Sequence, residues 1–135
     1  MAPASRAGRD LRQDRGSAVV DFVLVSALLV VLVLAVAQLA LAMHVRNTLI
    51  AAASEGARYG ADADRTPADG AERTRDLIAS SLSSRFNGDV SADYDEVDGV
   101  PVVTVTVRTR LPLVGWLGPP RGLVVTGHAY AEATS

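Results

Sequence analysis

Residues 22–43 read FVLVSALLVVLVLAVAQLALAM and decide the architecture, because none of them is charged. At about 1.5 Å of rise per residue, a helix of this length spans roughly 33 Å, against about 30 Å for the hydrocarbon core of a bilayer. Ser26 and Gln38 are its only polar residues. In lipid such groups often face another helix, although Gln38 is also close enough to the end of the stretch to reach the outer interface. The stretch predicts a transmembrane helix.

The flanking charges predict how this helix is oriented. Residues 1–16 carry four arginines and two aspartates, a net charge of +2. Positive charge in a short segment next to a span stays on the cytoplasmic side. Arg46 and Arg58 follow the span, but positive charge is denser before it. We therefore expect a single-pass protein with a cytoplasmic N-terminus and an extracytoplasmic C-terminal domain.

A cleaved secretory signal is an alternative for the same stretch. Residues 40–42, Ala-Leu-Ala, form a small-x-small sequence of the kind that signal peptidase cleaves. However, 22 uncharged residues exceed the roughly 7–15 of an ordinary signal sequence. The helical pattern also continues after Met43. These two features favour a retained anchor.

Composition argues against several functional classes. The chain has 135 residues, 13 arginines, no lysine, 15 acidic residues, no cysteine and a net charge of -2. An acidic chain without a basic run does not predict nucleic-acid binding, and a chain without cysteine has neither disulfides nor Cys-ligated metal. His44 and His128 are far apart, and the HExxH, GxSxG and phosphate-loop patterns do not occur. We predict no enzymatic activity, no metal site and no cofactor.

The string RGSAVVDF at residues 15–22 places one acid at the mouth of the apolar helix. An acidic side chain at the edge of a span costs a few kcal/mol unless it is paired or hydrated. If the chain is cut after Gly16, the new amino group of Ser17 lies about one helical turn from Asp21 and can pair with it. The amine of a neighbouring subunit is another possible partner for Asp21.

This string resembles the processing site of type IV prepilin-like proteins, whose leader is cut after a glycine and whose fifth mature residue is acidic. Counted from Ser17, the fifth residue is Asp21, where that group of proteins normally has glutamate. The resemblance implies that a prepilin peptidase, an integral-membrane aspartic protease, cuts after Gly16. The alternative is a signal-anchored extracytoplasmic scaffold or binding protein that is never processed.

A second string, RNTLIAAASEGARYG at residues 46–60, follows the span. Small and apolar residues recur in it at helical spacing, so one face allows another helix to approach closely. Glu55 and Arg58 are three residues apart and can pair. Two hypotheses remain open for this face: it covers the chain's own domain, or it packs against another subunit in a filament or at its base. The face consists of Val45, Leu49, Ala52, Ala53 and Gly56.

The second string resembles the segment after the span in the TadE-like family of Tad pilus assembly proteins. That pattern is an arginine, then small and apolar residues, then Glu-Gly-Ala-Arg. The resemblance implies a minor pilin or pseudopilin in a bacterial cell membrane, which associates with other Tad pilus subunits and the membrane assembly platform. The helix-packing residues would then be Arg46, Leu49, Ala52, Ala53, Glu55, Gly56, Ala57 and Arg58.

The overall prediction is an α+β protein with a long N-terminal helix and a small head. It comprises a basic cytoplasmic leader at 1–16, a transmembrane and juxtamembrane helix at 17–60 and an extracytoplasmic domain at 61–135. Thr66 and Pro67 predict the start of a second helix, with Asp69 as the capping partner. Its apolar residues Ile78, Leu82 and Phe86 would cover a sheet, and Asn87 with Gly88 would end it.

The last third of the chain predicts a three-stranded antiparallel sheet. Asp98 and Gly99 predict a two-residue hairpin turn, which fixes the register of the first two strands. Residues 122–131 predict a third strand. Residues 111–120, LPLVGWLGPP, predict a loop, and Trp116 either forms an exposed tip or tucks over the sheet. The register places Val90, Ala92 and Tyr94 opposite Val107, Val105 and Val103 on one apolar face.

Overall fold

The computed structural model describes residues 7–110 and 122–132, with their side chains from residue 15 onward. It confirms the predicted α+β class: a long apolar N-terminal helix, one further helix and a three-stranded antiparallel sheet. The chain divides after Ala40 into two compact units, and we call the second, from Leu41 onward, the head. The elements are α1 (Ala7–Ala61), α2 (Pro67–Ser81), a 3₁₀ turn (Ser84–Phe86), β1 (Asp89–Val97), β2 (Val100–Arg110) and β3 (Gly122–Tyr130).

In the first unit, the apolar stretch of α1 is open to its surroundings. Every residue from Arg15 to Ala40 is exposed except Ser26, which is half-buried. Phe22 is 73% exposed and Leu28 is 67% exposed. A helix that is apolar on all sides must be covered by protein or by lipid. The exposure of this stretch is therefore what a lipid-facing helix requires.

The head buries its core between two helices and one face of the sheet. Val105 and Val107 of the central strand β2 are fully buried. They belong to one cluster with Ile78 of α2 and Leu49 of α1, both also fully buried. The sheet is thus covered by α2, as predicted, and also by the part of α1 that belongs to the head.

α1 and β3 are in close contact at Gly127. A Cβ atom added there would overlap the backbone of Ala53 and Ser54 and would lie 2.6 Å from the carbonyl oxygen of Ala53. Because glycine has no side chain, the strand lies directly against the helix backbone. This packing explains why a glycine follows the β-branched residues Val124, Val125 and Thr126 in β3, and the sequence interpretation had not used it.

The predicted start of α2 is confirmed, but its predicted end is wrong. Thr66 is the N-cap, and its side chain and the carboxylate of Asp69 form a reciprocal capping box. The helix ends at Ser81 rather than at Asn87, since Leu82 has non-helical angles of φ -121° and ψ -88°. The serines that follow hydrogen-bond their local backbone readily and so disfavour a continued helix. Leu82 and Phe86 nevertheless pack against the core from the C-cap and the 3₁₀ turn.

The predicted hairpin register is confirmed residue by residue. Val97 lies opposite Val100, and Val90 lies opposite Val107. Asp98 and Gly99 have φ values of 52° and 80°, the left-handed conformation that a tight hairpin turn requires. β3 pairs antiparallel with the other edge of β2, as predicted. The buried face is shorter than predicted, since Tyr94 is 63% exposed.

Candidate functional site

α1 continues through the predicted processing site without a break. Gly16 and Ser17 are both helical and exposed, and a Cβ added to Gly16 would meet no atom within 4 Å. Packing against the described side chains therefore gives no reason for a glycine at this position. Asp21 is exposed among apolar neighbours, and no ion pair reaches it from the described side chains. The site is accessible, and from residue 15 onward no described side chain supplies a charge that would offset the cost of the carboxylate in a membrane.

The string after the span separates into a buried and an exposed part within the head. Most of its small and apolar residues pack inside the chain's own domain, although Ile50 and Ala51 are exposed, and its charged residues face outward. Ala57 and Arg58, which are neighbours in the chain, illustrate this: the first is fully buried and the second is exposed. The buried residues are Leu49, Ala52, Ala53, Gly56 and Ala57, and the exposed ones are Arg46, Glu55 and Arg58.

Gly56 brings α1 and α2 into close contact. A Cβ on Gly56 would overlap the hydroxyl of Thr74 and would lie 2.6 Å from the carbonyl oxygen of Gly70. The buried Thr74 hydroxyl donates to the carbonyl of Gly70 at 2.8 Å and lies 3.4 Å from that of Ala52. Gly56 is therefore a structural residue of the head, because a larger side chain would separate the two helices.

Polar contacts hold the connection between α1 and α2. The backbone N–H of Thr66 and its hydroxyl both donate to Asp69 Oδ2 at 2.8 Å, and these bonds hold the pKa of Asp69 below its ordinary value of 3.8. The guanidinium of Arg65 lies 4.1 Å from the ring centroid of Tyr59 and donates to its hydroxyl. The sequence predicted the first contact but not the second.

Two further polar side chains that the sequence interpretation missed tie α2 to its neighbours. The Thr74 hydroxyl lies against the carbonyl of Ala52 in α1, and the guanidinium of Arg75 donates to the carbonyl of Val90 in β1 at 2.7 Å. The sequence could have identified the Thr74 contact, because a threonine on the apolar face of a helix needs a hydrogen-bond partner there. The contact made by Arg75 has no local signal, because it depends on how α2 lies over the sheet.

The exposed charges of the string line an open groove between α1 and α2, which we call the α1–α2 groove. Its volume is about 470 Å³, and Glu55 and Arg58 both lie along it. These two residues do not pair with each other; among the described side chains the one ion pair is Arg108 with Asp89, at 3.9 Å. The remaining lining is small or apolar: Thr48, Ala51, Ala52, Ser54, Leu77 and Ser81.

Comparison with known families assigns the N-terminal part of the chain. The sequence model of the family described as TadE-like protein matches residues 16–58. This segment is similar to the TadE-like family. The match begins at Gly16 and ends at Arg58, so it includes most of the strings at residues 15–22 and 46–60, and it covers about a third of the chain. Comparison with curated proteins and with solved structures finds no match.

The TadE-like segment suggests a pilin-like protein that associates with components of a Tad pilus. Within the described residues, one helix, Arg15–Ala61, is long and apolar enough to cross a membrane. This helix fits a single-pass membrane anchor, and it contains all of the TadE-like segment. Residues 111–120, where the sequence predicted a loop around Trp116, lie outside the described residues.

Proposed function

We propose that this protein is a TadE-like minor pilin or pseudopilin of a Tad-type pilus assembly or secretion system. α1 anchors it in a bacterial cell membrane with its N-terminus in the cytoplasm and its head outside. The observation that carries the proposal is the TadE-like match, which starts at the glycine of a Gly16–Ser17 bond and runs through Asp21 to Arg58. The protein is on this view a structural subunit and the substrate of a protease, without catalytic activity of its own.

The processing step is hydrolysis of the bond between Gly16 and Ser17 by a prepilin peptidase. Water adds across the peptide bond, leaving a carboxylate on Gly16 and an ammonium group on Ser17. Glycine stabilises a helix about 1 kcal/mol less than alanine does, so α1 is locally weakened where the protease would cut. This local weakness is a role for Gly16 that packing does not supply.

Cleavage changes the electrostatics at the mouth of the membrane helix. Ser17 and Asp21 are four residues apart, so the new ammonium group lies about one helical turn from the carboxylate. The pair offsets the cost of an acid among apolar helices, either within one subunit or between neighbours. Assembly then moves the helix out of the bilayer into contact with other Tad pilus subunits and the assembly platform.

The proposal is tested by the intact mass of the protein extracted from membranes that contain a prepilin peptidase. We expect the loss of residues 1–16. Gly16→Ala should block this loss, because the protease would meet a methyl group and a stiffer helix. Ser17→Ala is the matched control, which should still be cut. A full-length protein with its initiator methionine in piliated cells would contradict the proposal.

The role of Asp21 is tested separately from cleavage. Asp21→Asn removes the charge without changing the size of the side chain, and we expect normal leader removal with loss of incorporation into the pilus system. Asp21→Glu keeps the charge and should restore incorporation. Cleaved Asp21→Asn protein that assembles at the wild-type level would show that the charge pair is not required.

An unprocessed, signal-anchored scaffold or binding protein is the second candidate. The observation that favours it is the unbroken helix through Gly16, which is also what a permanent anchor would have. The mass measurement separates the two, since the permanent anchor keeps residues 1–16 in every cell.

A further inference from the structure

The α1–α2 groove carries two charges that the described part of its own chain does not pair. Glu55 and Arg58 are exposed and three residues apart on one helix, yet neither forms an ion pair with a described side chain. The wall around them is built of small side chains, with Leu77 of α2 as its largest apolar member. The groove therefore combines a surface that another backbone can approach closely with one acid and one base.

We propose that this groove docks the same surface of a second copy of the chain, with Glu55 of each copy facing Arg58 of the other. A surface that holds one acid and one base is complementary to itself. In a two-fold contact, Glu55 of the first copy meets Arg58 of the second, and Arg58 of the first meets Glu55 of the second, so two ion pairs form together. The offset between the residues is about 4.5 Å along a helix, which both side chains can bridge.

The size of the lining favours a helix as the occupant. Thr48, Ala51 and Ser54 are short enough for two helices to approach to about 8 Å between axes. A groove of about 470 Å³ accommodates several small side chains of the facing copy. Close approach also removes water from Glu55 and Arg58, which makes their pairing stronger than that of an open surface pair.

This inference rests on the proposed function, because it names the partner that a pilin-like subunit meets through its head. It does not require the leader to be cut. The charges of the groove select its occupant. A second copy presents an arginine for Glu55 and a glutamate for Arg58, at the same spacing along its helix. A different protein with opposite charges is the competing occupant, and the experiment below distinguishes it.

Site-specific cross-linking tests the contact in the full-length, membrane-embedded protein. The chain has no cysteine, so a single introduced cysteine reports one position. Ala51→Cys lies in the groove, and Ala79→Cys, exposed on α2 but outside the groove, is the matched control. After oxidation with copper phenanthroline, we expect disulfide-linked dimer with Ala51→Cys at several times the yield of Ala79→Cys. Equal yields would overturn the proposal.

Charge reversal then identifies the occupant. In the Ala51→Cys background, Glu55→Arg or Arg58→Glu alone places like charges together and should lower the dimer yield about tenfold. The double variant E55R/R58E restores opposite charges only if the partner carries the same two changes, so we expect it to recover the dimer. A double variant that stays as weak as the single ones would rule out a second copy and point to a different protein.

Two control measurements keep this test separate from the proposed function. Thermal unfolding of the purified variants should be unchanged, because Glu55 and Arg58 are exposed and make no ion pair with the described side chains. The leader mass is measured on the same samples. If the leader is uncut but the double variant E55R/R58E recovers the dimer, only the processing step is contradicted. If the leader is cut but Ala51→Cys forms no dimer, only the groove contact is contradicted.

Discussion

The two parts of α1, before and after Ala40, have opposite surroundings. Leu34 in the first part is 56% exposed, whereas Leu49 in the second is fully buried. Valine and leucine dominate residues 22–43, while alanine, glycine and serine dominate residues 51–57. One continuous helix thus carries one sequence pattern suited to lipid and another suited to contact with protein.

This difference shows what drives packing in each environment. In lipid, burying an apolar side chain against another gains little, so bulky residues can surround the helix. In the head, water provides the driving force, and the helix gains most where its backbone meets another element directly. Gly56 against Gly70, and Gly127 against Ala53, are two examples of that close approach among the described residues.

The sharpest test of the comparison replaces a leucine by alanine in each part. Leu49→Ala opens a cavity in the core and should lower the free energy of unfolding of the head by about 3 kcal/mol. Leu34→Ala is the matched control and should leave the head unchanged. Hydrogen exchange of the β2 amides in detergent measures this free energy. A similar effect of the two changes would show that the two parts are not distinct.

The next largest effect is expected where the sheet touches the helix backbone. Gly127→Ala places a methyl group against Ala53 and Ser54, whose backbone cannot rotate away, and should cost about 2–3 kcal/mol. Gly122→Ala in the same strand is the control, because its added Cβ meets only the carbonyl oxygen of Thr109, at 3.9 Å. The same exchange experiment applies. A loss at Gly127 no larger than that at Gly122 would argue against direct contact between helix and strand.

The sequence predicted those features of the head that are specified locally. The hairpin register followed from Asp98 and Gly99, because a two-residue turn fixes every pair beyond it and a shift of one residue would mix polar and apolar faces. The start of α2 followed from Thr66 and Asp69, which satisfy each other's backbone groups. Such signals act over a few residues and need no knowledge of the tertiary structure.

Features that depend on distant packing were missed. The end of α2 at Ser81 results from competition between helix propensity and the placement of Leu82 and Phe86 over the sheet, which the spacing of apolar residues does not resolve. The contact of α1 with Gly127 joins residues far apart in the chain. The sequence identified the charged and small positions between residues 46 and 58 as helix-packing candidates. Only the structure shows which of them are buried, such as Gly56, and which are exposed, such as Glu55.

A smaller effect than that at Gly127 is expected where α1 meets α2. Gly56→Ala should cost about 1–2 kcal/mol, because the added Cβ meets the Thr74 side chain first and also lies 2.6 Å from the backbone carbonyl oxygen of Gly70. Thr74→Ala removes the first obstacle but leaves the second, so Gly56→Ala should cost less, though not nothing, in the Thr74→Ala background. A double-mutant cycle measures this coupling. Strictly additive losses would show that the two side chains do not meet.

The smallest expected effect concerns the cap of α2 and depends on pH. Hydrogen bonds from the hydroxyl and N–H of Thr66 hold the pKa of Asp69 below 3.8, so the folded head prefers the carboxylate more than the unfolded chain does. The sign follows from linkage: this contribution is complete above pH 4 or so and is lost as the pH falls through the lowered pKa. Asp69→Asn should therefore flatten the acid limb of the stability profile measured by denaturant unfolding. Asp76→Asn makes the same change of charge on the exposed side of α2 and lacks the capping bonds, so an equal flattening by both would attribute the effect to net charge rather than to the cap.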